Sequence, residues 1–245
     1  MKGLVVVLGY LVLFTGCSEN EAKSLEEMAS VEMKENTGQE GPSDDPVKES
    51  IVKKATYRLT FTSLWEKDDH LGRPEGAHFS PIVLTVHNEN HVLFPIGELT
   101  GKGLERVAEV GNPTDLNVEI AEDKRRGNVL SSLNTKNQDV PKQLVQTIDV
   151  EVNFGFPLIS FVTMIAPSPD WIVGLDSLEL HDGEKFLEST GEIDLYAYNA
   201  GTEDGDRGGN FSINNSATRN PTPIEKLKGR GFDKPFAKVV LQKIK

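Results

Sequence analysis

Cysteine is almost missing from this chain: Cys17 is the only one in 245 residues. A lone thiol makes no internal disulfide and no four-cysteine metal site, so the folded part is held by its core alone. Excess positive charge is missing too. A net charge of -12 leaves no basic face for phosphate and argues against a nucleic-acid partner. The acidic surface suits solubility instead, or cation capture where carboxylates converge. Apolar runs stay too short for a permanent membrane helix. No nucleophile elbow, phosphate loop or cysteine nucleophile is present.

What is there begins with an export signal over residues 1–16. Lys2 supplies the positive start, Leu4 to Phe14 the apolar segment, and Thr15-Gly16 the small-residue end. Phe14-Thr15-Gly16-Cys17 resembles a bacterial lipoprotein box, which implies processing at Cys17 and lipidation of its sulphur. Several acyl chains on one residue hold firmly, where a single chain is marginal. Ser18 after the cysteine resembles outer-membrane sorting. Without lipidation the same leader implies secretion.

From residue 17 to 54 the composition turns to Glu, Lys, Ser, Gly and Asp, and Gly41-Pro42-Ser43-Asp44-Asp45-Pro46 interrupts any regular element. Such a segment buries too little apolar area to offset its ordering entropy and reads as an acidic tether. As a coil it would span roughly 35 Å.

Residues 55–245 read as one β domain. Apolar and polar residues alternate strictly in Tyr57 to Thr62, as a strand with one buried face requires. Ile82 to Val86, Ile148 to Val152, Ile193 to Tyr196 and Phe236 to Ile244 repeat the theme. Gly103 to Val110, closed by Gly111, carries Leu104, Val107 and Ala108 at helical spacing. The pattern predicts an all-β fold, an antiparallel two-sheet sandwich with one or two short helices.

The most informative stretch runs from Phe156 to Trp171. A continuous apolar run to Ala166 meets Pro167-Ser168-Pro169, then Asp170 and Trp171, and a second apolar run starts at Ile172. This predicts a buried strand, a rigid turn and a second strand, with one carboxylate at the turn. Alternation in the second strand shifts phase near Asp176-Ser177, which predicts a bulge.

The same stretch, Ile165-Ala166-Pro167-Ser168-Pro169-Asp170-Trp171 with Val173-Gly174, resembles the signature of the spondin domain, the amino-terminal module of F-spondin and mindin. Further matches follow in order: Tyr57 to Trp65, Ala77-His78-Phe79-Ser80-Pro81, Thr85-Val86-His87-Asn88 and Ala108-Glu109-Val110-Gly111. Asp194 to Thr202, Phe211-Ser212 and Pro221 complete them. The resemblance implies a β-sandwich similar to calcium-dependent membrane-targeting modules. It also implies a non-enzymatic domain, since the animal relatives are matrix and pattern-recognition proteins that bind partners. Their cysteines and thrombospondin-type repeats are missing here.

The resemblance implies calcium as the cofactor, held at Glu151, Asp170 and Asn199. Glu151 alternates with Val150 and Val152 and so leaves the core near its strand end, Asp170 sits at the proline-fixed turn, and Asn199 follows Tyr198 at a strand end. Calcium takes six to eight oxygen ligands, so backbone carbonyls, water or a partner's acidic group must complete the shell. Asn199 stands where relatives often have aspartate. The lost charge implies weak binding, on the order of 10⁻⁴ M. Glu203, Asp204 and Asp206 follow in a glycine-rich loop and could compensate, although their spacing is not that of an EF-hand.

Histidines 78 and 87, near Asp68, Asp69 and His70, raise zinc as an alternative, but their spacing fits no zinc motif and a packing role is simpler. Trp65 and Trp171 read as packing residues. Three functions follow: a lipid-anchored cell-envelope protein that recognises a protein, glycan or lipid head group, a structural envelope sandwich without a working metal site, or a glycan hydrolase using Glu151 and Asp170.

Overall fold

The computed structural model describes residues 53–66, 68–139, 144–204, 211 and 220–245, all within the compact unit Ser50–Lys245. The leader, Cys17, the tether up to residue 52 and Asp206 lie outside the described residues. No helix among the described residues is long and apolar enough to cross a membrane.

Two antiparallel sheets form the fold, as the alternation predicts. Strand β1 (Lys54–Ser63) turns Ala55, Tyr57, Leu59 and Phe61 into the core, one residue in two. The chain continues through β2 (His78–Phe79), β3 (Val83–His87), α1 (Lys102–Val110), α2 (Thr114–Arg125), β4 (Val129–Asn134) and β5 (Gln138–Asp139). Then follow β6 (Val145–Asn153), β7 (Leu158–Ala166), β8 (Trp171–Glu179), β9 (Ile193–Leu195), β10 (Ala197–Asn199), β11 (Glu225–Lys226) and β12 (Ala237–Lys243). One sheet runs β6-β1-β12-β9. The other is centred on β7, with β8, β10 and β11 to one side and β2 and β3 to the other, extended by β5 and β4.

β7 explains the continuous apolar run. Ile159, Phe161 and Ile165 face the other sheet, among Phe61, Phe79 and Trp171. Val162 faces the opposite way, among Leu104, Val107 and Ile120 of the two helices. A strand covered on both faces has no polar side to show. Each such fully buried side chain contributes about 1.5–3 kcal/mol.

The α1 helix is as its spacing predicts, burying Leu104, Val107 and Ala108. Gly111 closes it in the left-handed region (φ 65°), and a Cβ there would lie 2.8 Å from the Ser80 Cβ. The helix end is therefore fixed against Ser80, directly after β2. No apolar stripe announces α2: only Leu116 and Ile120 are buried, while Val118 is 67% exposed.

The predicted bulge is present. Asp176 and Ser177 together oppose Ser160 of β7, and Ser177 adopts φ 51°. The Ser177 N–H donates to Ser160 Oγ at 2.7 Å. Ser160 Oγ also lies 2.7 Å from His87 Nε2 and 3.1 Å from Asp176 Oδ1, while His87 Nδ1 bonds the Asn88 carbonyl at 2.8 Å. His87 is fully buried in this network, the packing role expected of it. His78 sits apart on β2, its Nδ1 bonded to the Gly76 carbonyl. Trp65 and Trp171 are both core residues.

Candidate metal centre

Asp170 lies in the turn between β7 and β8, directly before Trp171. After the cis Ala166–Pro167 bond, Ser168 Oγ accepts the Trp171 N–H at 3.1 Å and closes the turn around Pro169. Asp170 is fully buried. Its Oδ2 accepts the backbone N–H groups of Thr202 (2.8 Å) and Glu203 (3.2 Å). Among the described residues its buried Oδ1 has no hydrogen-bond partner. An orphaned carboxylate oxygen away from water is costly, which makes this the most informative atom of the site.

Asn199 is brought to the same place. Residue pairing sets it opposite Trp171, and the Ala200 N–H bonds the Asp170 carbonyl at 3.0 Å. Its side-chain Oδ1 accepts the Gly201 N–H at 2.7 Å, holding the loop that delivers Thr202 and Glu203 to Asp170. Gly201 has φ 74°, and a Cβ there would lie 2.0 Å from the Thr222 carbonyl oxygen. Only glycine fits.

Two further carboxylates feel the negative charge of Asp170. Among the described residues, Glu203 of the following loop has a buried, unpartnered Oε2, and Glu109 of the last turn of α1 has a buried, unpartnered Oε1. Burial raises the Glu203 carboxyl to about 7, helped by the negative charges of Glu109 and Asp170. Burial also raises Glu109, with Glu105 and Asp170 adding to it against the Thr202 hydroxyl and Arg106. Asp170 is raised by burial against its backbone hydrogen bonds. The Thr202 hydroxyl lies 3.5 Å from Asp170 Oδ2.

Glu151 is not part of this cluster. It sits two residues before the end of β6, on the other sheet, exposed and paired with Lys54 at 2.8 Å. The chain turns at Asn153–Phe156 and then travels the nine residues of β7 before reaching Asp170. At about 3.3 Å per residue the two carboxylates stand roughly 25 Å apart, at opposite ends of the strand. Of the expected set, Asp170 and Asn199 are thus brought together, while Glu151 lies on the other sheet. The hydrolase pair is corrected on that separation, since its carboxyl groups would need to lie within about 10 Å. Asp204, next in the loop, is exposed.

The residues fit a hard cation in kind: carboxylate and amide oxygens, three of them buried and unpartnered. Among the described residues no three acidic, histidine or cysteine side chains are yet gathered as a ligand group. Glu109 and Glu203 are only partly buried. Beside the cluster opens a cleft of about 410 Å³, lined by Glu75, His78, Glu109, Val110, Met164 and Pro167.

Sequence reasoning missed Glu109 because a glutamate on a short amphipathic helix reads as solvated surface. A signal existed: an acidic residue in the last turn, with no basic residue there and glycine directly after.

A two-sheet antiparallel sandwich with a proline-framed aspartate buried at one end defines a β-sandwich module of the spondin kind. Residues 55–245 match the Spondin_N family, and the chain belongs to it. Spondin-2 of Homo sapiens is 37% identical over 172 residues, covering 67% of this chain and 50% of that protein. Spondin-1 of Rattus norvegicus is 32% identical over 174 residues, covering 68% of this chain and 21% of the relative. Spondin-1 of Gallus gallus is 30% identical over 179 residues, covering 70% and 22%. The chain thus spans half or less of the length of these relatives.

Proposed function

We propose that this spondin domain is a non-enzymatic recognition module of the cell envelope, with calcium organising the Asp170 end of the sandwich. Asp170 and Asn199 would hold the ion. A coordination position left to water would accept an acidic group from an envelope or extracellular protein, glycan or lipid head group. The carrying observation is the fully buried Asp170 with one oxygen unpartnered. Folding such a group without a counter-ion is unfavourable, and a bound cation removes the penalty.

The leader and Cys17 support lipid anchoring, with outer-membrane placement following from Ser18. Metabolic labelling with a fatty-acid probe checks this: the parent takes up label and Cys17→Ser does not. An unlabelled parent removes the anchor. The module itself is tested by titrating calcium into the purified, chelator-stripped full chain, with Asp170→Asn alongside. Saturable heat in the parent alone supports the reading. No heat in either returns the domain to a structural sandwich whose acidic end is merely tolerated.

A further inference from the structure

We propose that the cleft of about 410 Å³ between β2, the end of α1 and the turn after β7 receives a lysine or arginine side chain of a polypeptide partner. Neither Asp170 nor Asn199 is among the described residues that line it, and this recognition needs no metal.

Local structure places each wall. The Pro74 carbonyl accepts the Ala77 N–H at 3.2 Å, and Gly76 adopts φ 74°, the left-handed position that a β-turn gives to glycine. Glu75 therefore stands at the tip of a turn directly before β2. His78 pairs with Ala166 across β2 and β7, which sets it beside the turn that starts at Pro167. On the other side, Gly111 closes α1 against Ser80 and Met164, so Glu109 and Val110 line the cleft from the helix end.

The hydrogen-bonding inventory names the ligand. His78 Nδ1 lies 2.8 Å from the Gly76 carbonyl oxygen. A carbonyl only accepts, so the neutral ring donates through Nδ1 and keeps Nε2 as an acceptor. Glu75 and Glu109 accept as carboxylates, and no lysine or arginine is among the described residues lining the cleft. The helix end adds its own negative carbonyls, with no basic residue in the last turn of α1. The polar side chains of the wall thus all accept. Ammonium and guanidinium are the head groups that only donate. An anionic head would instead meet two carboxylates.

The rest of the wall suits an aliphatic stem. Met164 and Ala166 are buried beneath the cleft, Pro167 lies beside them, and Val110 is 54% exposed at its edge. Methylenes lie along such a surface while the charged end reaches the carboxylates.

The test titrates the isotope-labelled full chain, in chelator, with N-acetyl-lysine amide and N-acetyl-arginine amide. NMR follows the backbone amides of Gly76, His78, Val110 and Met164, and N-acetyl-norleucine amide supplies the stem without the charge. Saturable shifts at these amides are expected with a basic amide and not with norleucine amide. Glu75→Gln should raise the half-saturating concentration roughly threefold, the size of an exposed charge pair, and Glu109→Gln about tenfold. Glu75 is exposed in its turn, so Glu75→Lys should keep the fold and lose the binding. Asp170→Asn should bind as the parent does, which separates this cleft from the calcium reading and lets either fail alone. Equal binding of norleucine amide, or parent-like binding by both Glu75 variants, overturns the proposal. So does the absence of saturable shifts with either basic amide. Tighter binding of free diaminopentane than of both amides overturns the polypeptide assignment.

Discussion

Asp170 Oδ2 accepts the Thr202 N–H at 2.8 Å, joining the turn before β8 to the loop after β10 across 32 positions of sequence. The other oxygen of the same carboxylate has no partner among the described residues. One side of this residue therefore builds the loop, while the other, in the proposed function, faces the cation. Its substitutions should separate the two roles. Asp170→Ala strands the Thr202 and Glu203 N–H groups and should destabilise the domain even in chelator, by about 1–3 kcal/mol per group. Asp170→Asn keeps an acceptor for them, so its melting temperature in chelator should stay near the parent's while any calcium response disappears. Thermal melts of both variants, with and without calcium, check this.

Glu151→Gln should leave calcium binding unchanged. Its carboxylate pairs with Lys54 on an exposed strand at the far end of β7, and exposed ion pairs contribute little. Calorimetry on the variant decides it, and weakened binding would contradict the separation drawn from β7.

Gly201→Ala should be strongly destabilising. The position has φ 74°, and the added methyl would meet the Thr222 carbonyl oxygen at 2.0 Å. A loss of several kcal/mol is expected, above the usual range for a single change. Urea unfolding measures it.

Stability should fall on acidification below about 6.5, in part through His70 and His87. Burial lowers both, against backbone hydrogen bonds that raise them. The unfolded chain therefore binds a proton near 6.5 that the folded chain refuses. The stabilisation is present above that pH and is lost as pH falls towards the folded values. Glu203 works in the opposite sense: raised from 4.5 to about 7, it destabilises the fold fully above 7 and less on acidification. His87→Gln should flatten the acid limb relative to the parent in urea titrations from pH 7 to 5. An unchanged slope would show that His87 is not among the groups responsible.

Much of the fold is legible in the sequence because it follows from local physics. Tyr57 to Thr62 alternates because one face of β1 is buried, and the run to Ala166 is unbroken because β7 is covered on both faces. The bulge at Asp176-Ser177 shows as a phase shift for the same reason. Helix α2 escapes notice because Leu116 and Ile120 are its only buried residues. At the site, two prolines mark Asp170, and Asn199 follows as its cross-strand neighbour's partner. The company those residues keep is a different matter. Glu151 and Asp170 are separated by a strand whose direction carries one to the far end, and Glu109 reaches Asp170 only through the packing of α1 on β7. Both are consequences of tertiary path, which no local pattern encodes.

The central claim is that the buried carboxylate of Asp170 awaits a cation. The most direct test is the melting temperature of the parent chain in calcium and in chelator, with Asp170→Asn measured beside it. The account predicts a calcium-dependent rise that saturates in the parent and is absent in the variant. A parent that melts at the same temperature in calcium and in chelator would contradict it.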